Sequence, residues 1–233
     1  MLIAGSHGGI IAAYYAAKAR VHAVILHDAG VGKDQAGVAG LTYLEPIGMA
    51  AAVVDHASAR IGDGADMLAR GVISRVNRFA SGVTIGMSCR DAAVRLSRAP
   101  APRGEPPPYA EGRYELAAGV LGLDSIGMLL PEDAGRILVI GSHGALHGAR
   151  PESALGVHAR LAIFNDAGGN ATSRLPVLDA RGIPAATVDC MSARIGDARS
   201  MWETGVLSHV NRSAASARIA PGMGAREAAK QLT

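Results

Sequence analysis

Ser58-Ala59-Arg60-Ile61-Gly62-Asp63 returns unchanged as Ser192-Ala193-Arg194-Ile195-Gly196-Asp197. Two more runs return with it, in the same order. Gly5-Ser6-His7-Gly8 recurs as Gly141-Ser142-His143-Gly144, and Asp28-Ala29-Gly30 recurs as Asp166-Ala167-Gly168. Three matched runs in one order read as a tandem duplication, and that reading sets the fold.

A short apolar stretch precedes each run. Leu2–Ala4, Ala23–Leu26 and Ala50–Val54 are read as buried strands. Between them the spacing predicts helices: Ile10–Ala19, and Gln35–Ile47 with Gly48 as its cap. A third starts at Asp63, carries Ala65, Leu68, Val72 and Val76, and is interrupted by Gly71. Ser88 and Asp91 open a last helix through Leu96. The second copy is expected to repeat the pattern: strands at Ile137–Ile140, Leu161–Phe164 and Ala185–Val188, and helices to about Leu155, to Arg181, over Ala198–Asn211 and over Ala225–Leu232. The prolines at 100, 102 and 106–108 mark residues 98–118 as an extended linker. Val120–Leu130 reads as strand-like and 131–135 as a turn, with no counterpart before Leu2. This stretch joins the halves, or the first copy has lost its own, or the start codon lies upstream. The predicted fold is thus α/β. A βαβαβα unit occurs twice, at 1–97 and 119–233, with parallel sheets, helices on both faces and two similar lobes.

The bulk composition narrows the function. Hydrophobic residues are 49% of 233 and charged ones 18%, which supports a packed core rather than disorder. The net charge of +3 comes without a dense basic run, so nucleic acid is not a predicted partner. No apolar run reaches membrane-spanning length, so no membrane is predicted either. Cys89 and Cys190 do not form a framework, and the first residues lack a basic leader; a cytoplasmic setting is the expectation.

In an open parallel sheet, ligands bind beyond the carboxyl ends of the strands. All three repeated runs follow strands, so they are expected to gather there. His7 is a candidate base and Asp28 the carboxylate that orients it, or else the start of an Asx-turn. Lys33, His56 and Ser58 are further candidate catalytic groups. Ser6, Gly8, Gly9, Arg60 and Asp63 are candidates for holding substrate; Ser142, His143, Asp166, Ser192, Arg194 and Asp197 are their counterparts. Arg60 offers a fork to a carboxylate or phosphate, or pairs with Asp63; Asp63 and Asp197 suit helix capping. His27 and His56 give way to Asn165 and Cys190 in the second copy, which suggests chemistry in the first alone, or drift in loops. His7, His27, Asp28, Asp55 and His56 are metal-ligand types, but no spacing motif fixes them and no metal is predicted. Neither the dinucleotide fingerprint nor a Walker loop is present, and the cofactor is left unknown.

These features predict an enzyme acting on a small anionic metabolite by hydrolysis or general acid–base chemistry, with a homo-oligomer allowed. The alternatives are a non-catalytic module that binds a small anion, and repeats that serve only as turns and caps.

Overall fold

The computed structural model describes residues 1–232. It is a mixed α/β structure with one four-stranded and one six-stranded sheet. The chain divides into two compact units. One comprises Met1–Val31 and Gln35–Ala110; the other comprises Gly32–Asp34 and the chain from Glu111 onward.

In the first unit, β1 (Leu2–His7), α1 (Ile10–Lys18), β2 (Ala23–His27), α2 (Gly40–Tyr43), β3 (Ala50–Val54), α3 (Gly64–Arg70), β4 (Ile73–Val76) and α4 (Cys89–Leu96) follow in turn. The sheet order is β1-β2-β3-β4. β1, β2 and β3 are parallel, and β4 runs antiparallel to β3. Alternate residues of β2 enter opposite cores. Val24 and Leu26 pack with Ala13, Ala16 and Leu41, while Ala23 and Ile25 pack with Met67, Ala92 and Leu96. The sheet is therefore covered on both faces, which is why its central strands read as unbroken apolar runs. Each fully buried Ile, Leu or Met contributes about 1.5–3 kcal/mol.

The second unit contains β5 (Arg113–Ala117), β6 (Val120–Leu123), β7 (Ile137–His143), β8 (Leu161–Asn165), α5 (Arg174–Ala180), β9 (Ala185–Val188), α6 (Ala198–Thr204), β10 (Leu207–Val210), α7 (Arg212–Ser216) and α8 (Ala225–Lys230). The sheet order is β10-β9-β8-β7-β6-β5. β6 to β9 are parallel; β10 pairs antiparallel with β9 and β5 antiparallel with β6.

Several elements differ from the sequence reading. The helix expected through Val72 and Val76 ends at Arg70, and Ile73–Val76 is a strand. A Cβ on Gly71 would lie 2.4 Å from the Met67 carbonyl, and on Gly205 2.3 Å from that of Met201. Only glycine lets the chain fold back this tightly onto the helix it has just left. Thus Ala198–Asn211 is likewise a helix and then a strand, not one helix. Gln35–Ile47 is a single α-turn with flanking 3-10 turns, because Asp34 and Gln35 have positive φ and Pro46 intervenes. Gly48, with φ of 67°, does cap the last of these turns.

The helix expected to reach Leu155 is two 3-10 turns, His147–Ala149 and Pro151–Ser153. Pro151 has no N–H to continue a helix. Buried Arg174 holds these turns by donating to the Ser153 and Ala154 carbonyls, 5.4 Å over the Phe164 ring. Residues 113–117, inside the expected linker, form β5, whose Tyr114 and Leu116 alternate with exposed neighbours. Only 120–123 of the stretch to Leu130 is strand. No helix among the described residues is long and apolar enough to cross a membrane.

Candidate functional site at the strand C-termini

In the first unit the loops after β1, β2 and β3 are joined by hydrogen bonds. The Gly62 N–H donates to the Gly5 carbonyl (2.7 Å), the Gly8 N–H to that of His27 (2.6 Å), and the Asp28 N–H to that of Val54 (2.8 Å). The second unit makes the same three contacts: Gly196 to Gly141 (2.8 Å), Gly144 to Asn165 (2.8 Å) and Asp166 to Val188 (2.9 Å). A Cβ on Gly5 would sit 2.5 Å from the Asp63 nitrogen, so glycine lets the loop after β3 touch the end of β1 backbone to backbone.

At this rim Asp28 is buried and both of its carboxylate oxygens accept hydrogen bonds. Oδ1 accepts from the N–H groups of Gly30 (3.0 Å) and His56 (2.9 Å) and faces His56 Nδ1 at 3.2 Å. Oδ2 accepts from the Ser74 hydroxyl (2.8 Å). Asp55 reaches the same Nδ1 at 3.3 Å. Asp28 therefore starts an Asx-turn and also orients a histidine, but that histidine is His56 and not His7. His56 Nε2 has no hydrogen-bond partner among the described residues, and the side chain is 34% exposed. Ser74, the other end of this chain of bonds, belongs to a run, Ser-x-Val-Asn-Arg at 74–78, that recurs at 208–212.

His7 is buried, and its Nδ1 accepts from the Gly9 N–H (3.2 Å). Burial, and then neighbouring His27, depress its pKa from 6.5 to about 4, so the ring is neutral at pH 7. The Gly8 and Gly9 N–H groups, candidates for holding an anion, are thus both engaged within the unit. Ser6 is exposed on the same strand end. His27 bridges Ala59 and Ala29: Nε2 lies 3.0 Å from the Ala59 carbonyl, and Nδ1 accepts from the Ala29 N–H (3.1 Å). Burial dominates its lowered pKa, which favours the neutral ring that donates at one end and accepts at the other. Asn165 makes the matching pair, donating to the Ala193 carbonyl (3.3 Å) and accepting from the Ala167 N–H (2.9 Å). Asn165 thus makes the same structural bridge as His27.

Every residue of the repeated hexapeptide has an internal partner or a buried place. The Ser58 hydroxyl donates to the Asp55 carbonyl (2.8 Å) and accepts from the Val72 N–H (3.0 Å); Ser192 does the same with Asp189 and Val206 (2.7 and 2.9 Å). Ala59, Ile61, Ala193 and Ile195 are buried. Asp63 and Asp197 cap α3 and α6 through the N–H groups of Asp66 (2.9 Å) and Ser200 (2.8 Å). Arg60 pairs with Asp63 (3.2 Å) and Asp66 (3.1 Å) while remaining 67% exposed. Arg70 holds the Asp66 carboxyl below its ordinary range, chiefly through its hydrogen bonds.

Lys33 lies in the second unit, where its ammonium donates to the Ser192 carbonyl (3.2 Å) and the Thr204 hydroxyl (2.9 Å). Arg194 there pairs with Asp197 (2.9 Å) and Asp34 (3.2 Å). Ser142 accepts from the Ile126 N–H (2.9 Å), and His143 Nδ1 from that of Ala145 (3.3 Å). Asp166 Oδ1 accepts from the Gly168 and Cys190 N–H groups (3.2 and 3.0 Å), as Asp28 does from Gly30 and His56. Burial first, then the Asp166 charge, push the Cys190 thiol up to about 11.

Asn77 and Asn211 were missed, although Val-Asn-Arg repeats at 76–78 and 210–212. Buried Asn77 accepts from the Ala51 N–H (3.0 Å) and donates to the Leu41 and Met49 carbonyls (3.2 and 2.8 Å). Asn211 does so with Ala185, Leu175 and Ile183 (3.0, 3.3 and 2.8 Å). No family model, curated protein or solved structure matches this chain.

Proposed function

We propose that the first unit carries an acid–base centre at this rim, acting on a small anionic metabolite by hydrolysis or by moving a proton. The observation that supports it is the 3.2 Å contact from buried Asp28 to His56 Nδ1. A carboxylate on Nδ1 fixes the tautomer that leaves Nε2 as the basic nitrogen, which can take a proton from water or from a carbon acid. Asp28 and Asp55 orient the ring. Arg60, on the same loop and largely exposed, supplies charge for the anion. Ser58, with its hydroxyl engaged on both sides, is not a nucleophile in this reading. We further propose that the two units arose by duplication, and that the second, with Cys190 at the place of His56, has no equivalent base.

Turnover in a metabolite screen tests the proposal. It should vanish in His56→Ala and fall sharply in Asp28→Asn with the circular-dichroism spectrum unchanged. Full turnover in His56→Ala removes the residue from the mechanism. Binding of an anion without product turns the assignment to a non-catalytic module. The hexapeptide favours a second reading: its side chains all have internal uses, so the repeats serve as turn and cap devices. A chain that neither binds nor converts any anion in the screen supports that reading.

A further inference from the structure

The rim clusters of both units hold more negative charge than their partners balance. In the first, one imidazole nitrogen, with one hydrogen at most, faces two carboxylates: Asp28 at 3.2 Å and Asp55 at 3.3 Å. In the second, Asp166 and Asp189 flank the Cys190 thiol, the ligand atoms lying within 4.8 Å of one another. No lysine or arginine pairs with any of these four carboxylates among the described residues. Asp28 and Asp166 are buried, and buried carboxylates usually have such a partner or coordinate a metal.

The exchange between units is also selective. His56 and Cys190 occupy the same place after the third strand, and histidine and cysteine are the two side chains that bind zinc-type ions through nitrogen or sulfur. A tetrahedral zinc with bonds of about 2.0–2.1 Å keeps neighbouring ligand atoms about 3.3 Å apart. The two edges around His56 Nδ1, 3.2 and 3.3 Å, match that spacing. The groups behind them are already in place: Gly30 N–H and Ser74 hydroxyl on Asp28, Ala57 N–H on Asp55, Gly168 N–H on Asp166 and Met191 N–H on Asp189. Such outer contacts orient carboxylate ligands. Asp55 and His56 are partly exposed, which leaves a way in from solvent.

The geometry points to a divalent-cation site of the zinc class in each unit, held by Asp28, Asp55 and His56 in the first and by Asp166, Asp189 and Cys190 in the second. Water completes each coordination shell. In the first unit the cation replaces the hydrogen on Nδ1, which moves to Nε2. In the second the thiol loses its proton to solvent and the sulfur binds as thiolate. The inference deepens the reading of this rim as a reactive centre, and with a cation bound the base would be metal-bound water and not His56.

The test uses the full chain, stripped with chelator, dialysed against zinc and assayed for bound metal, then repeated with cobalt. Two equivalents per chain are expected, with a near-ultraviolet sulfur-to-cobalt absorption. Cys190→Ser should abolish that absorption and leave one equivalent. His56→Ala/Cys190→Ala should lose both; it keeps the backbone N–H donors to Asp28 and Asp166, so the turns persist. Unchanged uptake in the double variant, or none in the unsubstituted chain, overturns the inference. Turnover by metal-stripped protein that still depends on His56 overturns metal-bound water as the base, while leaving the acid–base proposal standing.

Discussion

Replacing His27 by asparagine should disturb the protein far less than replacing it by alanine. The imidazole bridges two buried backbone groups, the Ala59 carbonyl at 3.0 Å and the Ala29 N–H at 3.1 Å. Alanine strands both. Each unsatisfied buried group costs about 1–3 kcal/mol, so the pair costs about 2–6 kcal/mol before any cavity is counted. That is a large part of the stability of a typical domain, about 5–15 kcal/mol. Asparagine keeps a donor at one end and an acceptor at the other, as Asn165 does in the second unit. Its residual cost is a packing loss on the order of 1 kcal/mol. Urea unfolding followed by circular dichroism measures both midpoints, and hydrogen exchange at the Ala29 amide reads the bridge locally. Equal midpoints and equal Ala29 exchange in His27→Asn and His27→Ala would refute the bridge as what His27 and Asn165 have in common.

Asn77→Ala and Asn211→Ala should each lower stability by about 3 kcal/mol or more, since each strands at least three buried backbone partners; thermal melts check this. Acid should weaken the fold through His7, whose pKa is depressed from 6.5 to about 4. The unfolded chain takes up that proton below 6.5 and the folded chain only near 4, so stability falls as pH drops through this window, by up to about 3 kcal/mol. His7→Asn, which keeps an acceptor for Gly9, should flatten the profile of melting temperature against pH; an identical slope counts against His7. Gly5→Ala drives a methyl into the backbone at Gly62 and Asp63 and should cost about 1–3 kcal/mol, read as a lowered melting temperature. Cys89 and Cys190, with thiols raised to about 11 chiefly by burial, should alkylate slowly in the folded, metal-free chain and rapidly in urea.

Strands β1 to β3 and β7 to β9 were legible because each is an apolar run ending in a repeated motif. β4 and β10 were not. Val72 and Val76 are four apart, which suits a helix, while Ile73 and Val76 belong to a strand that begins only because Gly71 lets the chain reverse. Periodicity cannot see a carbonyl 2.4 Å from a missing Cβ. The grouping of the rim loops followed from topology, but the partner of Asp28 did not. His7 and His56 were equally eligible by type, and only the path of the third loop brings His56 to it. Ser74 and Arg174 act through contacts distant in sequence. Asn77 could have been found, since its Val-Asn-Arg setting occurs twice.

In neither sheet does the order of the parallel strands reverse, so the connecting segments lie in file. The segment after β1 is the nine-residue helix α1; the one after β7 is two 3-10 turns braced by Arg174. Yet the contact from Gly8 to His27 and that from Gly144 to Asn165 are both kept. The two units thus keep the same contacts across crossovers of different form. Such a scaffold lends itself to grafting: a foreign segment between Gly9 and Val21 should reshape the approach to the rim without disturbing the turns that form it.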